Sequence, residues 1–130
     1  MSRIRGKNTV PELILRRYLH SRGLRYRVNV KLPGKPDVAI KKIKTAIFVN
    51  GCFWHGHTDC KAGNLPKTNT DFWQQKIAGN RDRDARNEKR LKDDGWYVLV
   101  VWECEIEHDK DNILDTIEKT VRNRLSENRR

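Results

Sequence analysis

Apolar side chains first recur at helical spacing in Ile14, Leu15, Tyr18 and Leu19. They follow Thr9-Val10-Pro11-Glu12, which has the form of a capping box with Thr9 as N-cap and Glu12 at the third helical position, and Gly23 ends the helix. The period then changes. Leu24, Tyr26, Val28 and Val30 alternate with Arg25, Arg27, Asn29 and Lys31, as in a strand with one buried face. Leu32-Pro33-Gly34-Lys35-Pro36 forces a turn, Asp37 to Ile40 starts a second strand, and Thr45 to Val49, apolar on both faces, is expected to be the central one. Residues 61–70 contain Gly63, Pro66 and two Asn and read as loop. A long helix is expected from about Asp71 to Asp94, closed by Gly95. Its inward stripe, Trp73, Ile77, Asn80, Asp84 and Leu91, puts a carboxylate where an apolar residue would normally sit. Trp96 to Trp102 patterns as a doubly buried strand ending at Glu103-Cys104. A last helix over residues 109–130 carries Ile113, Ile117, Val121 and Leu125 inward. The order helix, three strands, helix, strand, helix predicts one α/β domain over residues 1–130, with a mixed β-sheet flanked by helices and residues 1–8 as a basic arm.

Charge narrows the class. Lys and Arg number 28 against 17 Asp and Glu, a formal net charge of +11, and the excess runs from Arg3 to Arg130. Such an excess displaces counterions from phosphates and suits a nucleic-acid binder. No run approaches the roughly 18 apolar residues of a membrane span, and Met1-Ser2-Arg3-Ile4-Arg5 does not open a signal peptide. The expected location is cytoplasmic, where three cysteines serve as reduced thiols or metal ligands.

The chemistry is concentrated in Asn50-Gly51-Cys52-Phe53-Trp54-His55-Gly56-His57-Thr58-Asp59-Cys60, which follows the central strand. Cys52, Cys60 and one of His55 or His57 can wrap a tetrahedral zinc, with Cys104 as fourth ligand if its strand neighbours the central one. Asp37, at a strand start, can hold magnesium through oxygen, and His55 has the pKa range of a base for a nucleophilic water. Asp84 could fix the His55 tautomer or pair with Arg81, Arg83 or Arg86. Glu12 is explained by the capping box alone, or is catalytic. Phe53, Trp54, Phe72 and Trp73 could stack on or wedge between bases, worth ~1 to 3 kcal/mol per stacked base, although Trp73 could equally pack in the core.

With Pro33-Gly34-Lys35-Pro36-Asp37, Asn50-Gly51-Cys52-Phe53-Trp54-His55, Phe72-Trp73, the Asn80 to Asp84 stretch and Val101-Trp102-Glu103-Cys104 in this order, the chain resembles the very short patch repair endonucleases. These are bacterial enzymes that nick DNA beside a T:G mismatch. The resemblance implies a restriction-endonuclease-like core and magnesium-dependent phosphodiester hydrolysis by a monomer associated with the nucleoid, with double-stranded T:G DNA as substrate and mismatch-repair proteins as possible partners. By residue, it implies Asp37 as magnesium ligand, His55 as catalytic histidine, Asp84 as its supporting carboxylate and Glu12 as the acid near the attacking water. Cys52, His57, Cys60 and Cys104 would be the structural zinc ligands, and Phe53, Trp54 and Trp73 the aromatic wedge. Val49 stands where the family often has threonine and would ligate magnesium through its backbone carbonyl. Met1 coincides with the family's wedge methionine; members usually carry a longer arm before this region, so recognition from that groove is expected to be weaker. The rival readings are a non-catalytic zinc-dependent DNA-binding module, which has no use for the Asp37, His55, Asp84 set, and a restriction-type nuclease without mismatch specificity.

Overall fold

A computed structural model describes residues 10–28, 30–51 and 68–128. Helix α1, Val10–Ser21, is followed by strand β1, Val38–Ile40, a 3-10 turn at Lys41–Ile43, and strand β2, Thr45–Asn50. Helix α2, Thr70–Asp93, strand β3, Tyr97–Trp102, and helices α3, Glu103–His108, and α4, Lys110–Asn128, complete the order.

The sheet runs β1-β2-β3 with β2 in the middle, as its two apolar faces imply. β1 pairs antiparallel to β2, with Val38 opposite Ile47. β3 pairs parallel to β2, from Thr45 opposite Tyr97 to Asn50 opposite Trp102. The sheet is therefore mixed. Alternation along the strands sorts its faces. Val38, Ile40, Ile47 and Val101 face one layer, with Leu15 and Leu19 of α1, Ile106 of α3, and Leu114, Ile117 and Val121 of α4. Ala39 and Ala46 face the other, under Leu91 of α2 and Trp96, with Phe48 and Val98 packed alongside. This is an α/β domain with helices on both sides of the sheet.

The C-terminal stops of α1 and α2 both work through backbone geometry. After α1, Gly23 at φ +74° donates to the His20 carbonyl while Leu24 N–H returns to Leu19. Gly95 at φ +88° repeats the arrangement after α2, with its N–H on Lys92 and that of Trp96 on Leu91. In each case the residue past the glycine is buried against the helix it closes, Leu24 in one core layer and Trp96 in the other.

Three sequence expectations are corrected. Among the described residues, the strand expected over residues 24–31 is reduced to an antiparallel bridge, Arg27 to Ala39. Leu24 is buried and Tyr26 partly so, but Val28 is exposed, so the alternating apolar set loses its buried face along the stretch. β3 is not doubly buried: it lies at the edge of the described sheet, and Tyr97 and Val100 remain 41% and 40% exposed. Finally, the chain does not run on as strand through Cys104. Glu105 Oε1 accepts the Trp102 main-chain N–H at 2.9 Å, half of a capping box, and α3 starts at Glu103.

The turn between the bridge and β1 sets the approach to the site. Lys35 N–H closes onto the Leu32 carbonyl at 2.9 Å, with Pro33 and Gly34 between them. Gly34 at φ +78° occupies the position of a type II turn that requires positive φ. A Cβ there would come within 3.1 Å of Phe48 and 3.2 Å of Asn87. The turn is thus tucked between β2 and α2, and the next residues deliver Asp37 to the start of β1.

Candidate active site

Asp37 is fixed at three points. Its N–H donates to the Ile47 carbonyl at 3.0 Å. Its carbonyl accepts from both Arg16 Nε, at 3.2 Å, and Arg16 Nη2, at 3.0 Å. Its carboxylate, through Oδ2, accepts the Val49 N–H at 2.6 Å. The sheet, the first helix and the central strand therefore all meet at this residue.

Glu12 reaches the same place from α1. It is 3% exposed, and its carboxylate shares a hydrogen bond with that of Asp37. Arg16, one helical turn further on, lies with Nη2 3.9 Å from Glu12 Oε2. Burial pushes Asp37 up to about 7. Its hydrogen bond from Val49 works against that shift, the charge and hydrogen bond of Glu12 add to it, and the charge of Arg16 opposes it. Two carboxyl groups that share a hydrogen bond out of water cannot both ionise cheaply unless a cation joins them. The pair thus has the chemistry of an acid-base or metal-binding site, beside the Val49 main chain. For Glu12 this exceeds the capping role that the sequence alone would support.

Asp84 and Trp73 come from the other layer. Both lie half-buried on α2, along with Asn80, so the inward polar stripe is real and Ile77 and Leu91 are its buried apolar members. Asn80 accepts a hydrogen bond from Arg83, which engages one of the arginines considered for Asp84. Trp73 meets Phe72 edge to face, with ring centroids 5.1 Å apart, while Phe72 itself is 57% exposed. One large ring is offered to solvent at the start of α2, and the other is half-buried beside it.

Cys104 is half-buried in the first turn of α3. The parallel register sets Asn50 beside Trp102, so the end of β2, which leads in sequence to Cys52, and the segment carrying Cys104 leave the sheet at the same end. His55, Cys52, His57, Cys60, Phe53, Trp54 and Met1 lie outside the described residues. Among the described residues no group of three or more His, Cys, Asp or Glu is placed to hold a metal ion. Among the described residues, Glu12 and Asp37 are the acids that meet at this site.

Arg16 was not legible as a site residue. The only signal was its i+4 spacing from Glu12, which is also the commonest of surface ion pairs. At the opposite end of the sheet a concavity of about 380 Å³ is lined by Lys42, Ile43, Lys44, Gly95, Arg124 and Glu127. Two of its cations are engaged in the fold. Arg124 donates to Thr45 Oγ1 and the Ile43 carbonyl and lies over the Tyr97 ring, and Lys44 Nζ donates to the Asp94 carbonyl.

Comparisons with known proteins identify the family. The family described as DNA mismatch endonuclease Vsr matches residues 1–62, which include Glu12, Asp37 and Val49. The chain is 49% identical over 109 residues to type II nicking enzyme V.NmeAIP of Neisseria meningitidis serogroup A, covering 83% of this chain and 77% of that one. It is 46% identical over 126 residues to type II nicking enzyme V.XorIIP of Xanthomonas oryzae pv. oryzae, covering 96% and 88%. To the DNA mismatch endonuclease Vsr of Escherichia coli it is 43% identical over 105 residues, 80% of this chain and 67% of that one. By class, then, this α/β domain is a nuclease. It belongs to the Vsr family of DNA mismatch endonucleases. No helix among the described residues is long and apolar enough to cross a membrane.

Proposed function

We propose that the protein is a magnesium-dependent endonuclease, with a restriction-endonuclease-like core, that nicks one strand of duplex DNA beside a T:G mismatch. The observation that carries this reading is the buried Glu12-Asp37 pair, fastened to the central strand through Val49. A module that only binds DNA has no use for two acids in a strongly basic chain, since like-charged neighbours of phosphate weaken binding.

The pair fits a hard cation. Two carboxylates held together by burial repel one another once ionised, and a divalent ion held at Asp37 would relieve that repulsion. Asp37 and the Val49 carbonyl would hold magnesium, which when bound supplies Lewis-acid polarisation of the scissile phosphate. Glu12 orients the attacking water. His55 takes the proton from that water as its oxygen bonds to phosphorus and a phosphorus-oxygen ester bond breaks, and Asp84 fixes the histidine's tautomer. Phe53, Trp54 and Trp73, with Met1 from the opposite groove, wedge beside the mispair, where unstacking costs least. Cys52, His57, Cys60 and Cys104 would hold a structural zinc, the ion that thiolates and an imidazole select.

The reading is tested by incubating the protein with a T:G duplex and a fully paired control. Nicking of the mismatched strand with magnesium, none with a chelator and far less on the control are expected. His55→Ala should still bind the duplex but lose on the order of 10² to 10⁴-fold in nicking rate. Equal cleavage of both duplexes would remove the mismatch specificity, and unimpaired cleavage by His55→Ala would remove its role as base.

A further inference from the structure

The residue whose placement the sequence does not announce is Arg16. Its side chain is only 13% exposed, and two of its N–H groups converge on one acceptor, the Asp37 carbonyl. Its own main-chain carbonyl accepts the Tyr26 hydroxyl at 3.0 Å, which ties this turn of α1 to the segment that follows the helix. Glu12 sits one turn earlier on the same helix and shares a hydrogen bond with the Asp37 carboxylate. The contacts close a ring: Asp37 side chain to Glu12, Glu12 along one helical turn to Arg16, and Arg16 back to the Asp37 main chain. In such a ring the separation of the two carboxylates is set by the rigid helix rather than by the turn that carries Asp37.

We propose that Arg16 is a positioning residue for the carboxylate pair, its planar fork clamping the Asp37 main chain to α1 so that both acids stay at the spacing a divalent cation requires. This rests on the function proposed above. A cation held at Asp37 pulls on that carboxylate and on the water that Glu12 orients, and Glu12 is anchored by its helix. Asp37 stands at the start of a three-residue strand, where its N–H to Ile47 and the Arg16 fork hold its backbone. Arginine is suited to the task because two donors in a fixed plane restrain direction as well as distance. A lysine ammonium in the same place would supply charge without that restraint.

The test uses Arg16→Lys and Arg16→Met in the full chain, with Mn²⁺ as the spectroscopic probe. Electron paramagnetic resonance titration gives cation affinity without any turnover, and nicking of the T:G duplex gives kcat and KM. Both variants are expected to lose about 10- to 100-fold in Mn²⁺ affinity and in kcat, with KM for DNA changed by less than about threefold and circular dichroism unchanged. A purely structural arginine would instead lower the melting temperature and leave cation affinity at permissive temperature intact. Should Arg16→Met fail to fold, Arg16→Lys decides alone: wild-type Mn²⁺ affinity and kcat in that variant overturn the proposal. If the wild-type protein nicks no duplex, the functional reading fails, while the Mn²⁺ titration still decides the role of Arg16 in either direction.

Discussion

Asp37→Asn is expected to abolish nicking and at the same time to make the metal-free protein more stable above pH 7. Burial raises this carboxyl from 3.8 to about 7 in the folded chain, so folding favours its protonated form. Between about pH 4 and pH 7 the folded protein retains a proton that the unfolded chain releases, and stability therefore falls as pH rises through that window. Below it the group is neutral in both states and costs nothing. Above it the whole penalty is present. Asparagine has the shape of the neutral acid. Its carbonyl can accept the Val49 N–H and its amide can donate to Glu12. Thermal melts in chelator at pH 8 should show a higher melting temperature for Asp37→Asn than for wild type, with the two curves converging near pH 4. Magnesium should stabilise the wild type at pH 8 and not the variant. The nicking rate should fall on the order of 10³-fold or more, as follows from losing several kcal/mol of charge stabilisation. A variant no more stable than wild type at pH 8 would mean that the carboxylate is not strained in the empty site.

Cys104→Ser is expected to remove one equivalent of zinc and several kcal/mol of stability. The substitution is nearly isosteric at a half-buried position in the first turn of α3, so lost packing and hydrogen bonding alone should cost only about 1 kcal/mol. Structural zinc contributes far more, ~10 to 16 kcal/mol of apparent binding free energy in zinc-finger peptides, because the site exists only in the folded state. Metal analysis of the purified proteins should find one zinc per wild-type chain and little in the variant, and the variant's thermal transition should move down by well over ten degrees. Unchanged zinc content in Cys104→Ser would remove this residue from the ligand set.

How much of this could be read from sequence depends on the kind of signal each element gave. β2 was legible because Ala46, Ile47, Phe48 and Val49 leave no polar face, and a strand without one must lie between two layers. The ends of α1 and α2 were legible because Gly23 and Gly95 adopt a positive φ that other residues resist. The expected strand over residues 24–31 failed because alternation describes only what a strand could bury and says nothing about the ladder that would hold it. α3 was missed because an apolar run continuing into Trp102 hid a helix start whose only mark is Glu105, three residues on. At the site, spacing and periodicity gave no sign that the two acids pair; only the family resemblance brought Glu12 and Asp37 to one centre. Glu12 and Asp37 lie 25 positions apart, and it is the tucked Pro33-Gly34 turn that returns the chain to α1. Nor could spacing distinguish Arg16 from the other arginines, since its role depends on a main-chain carbonyl, which leaves no trace in residue identity.

The central claim is that Glu12 and Asp37 act as one catalytic unit, and a double-mutant cycle measures that most directly. Single-turnover nicking of a T:G duplex is compared for wild type, Glu12→Gln, Asp37→Asn and the double variant. Groups that share a proton and a cation are non-additive, so each single substitution should cost nearly as much as both together. Losses that simply multiply, or a Glu12→Gln protein that nicks at the wild-type rate, would contradict it.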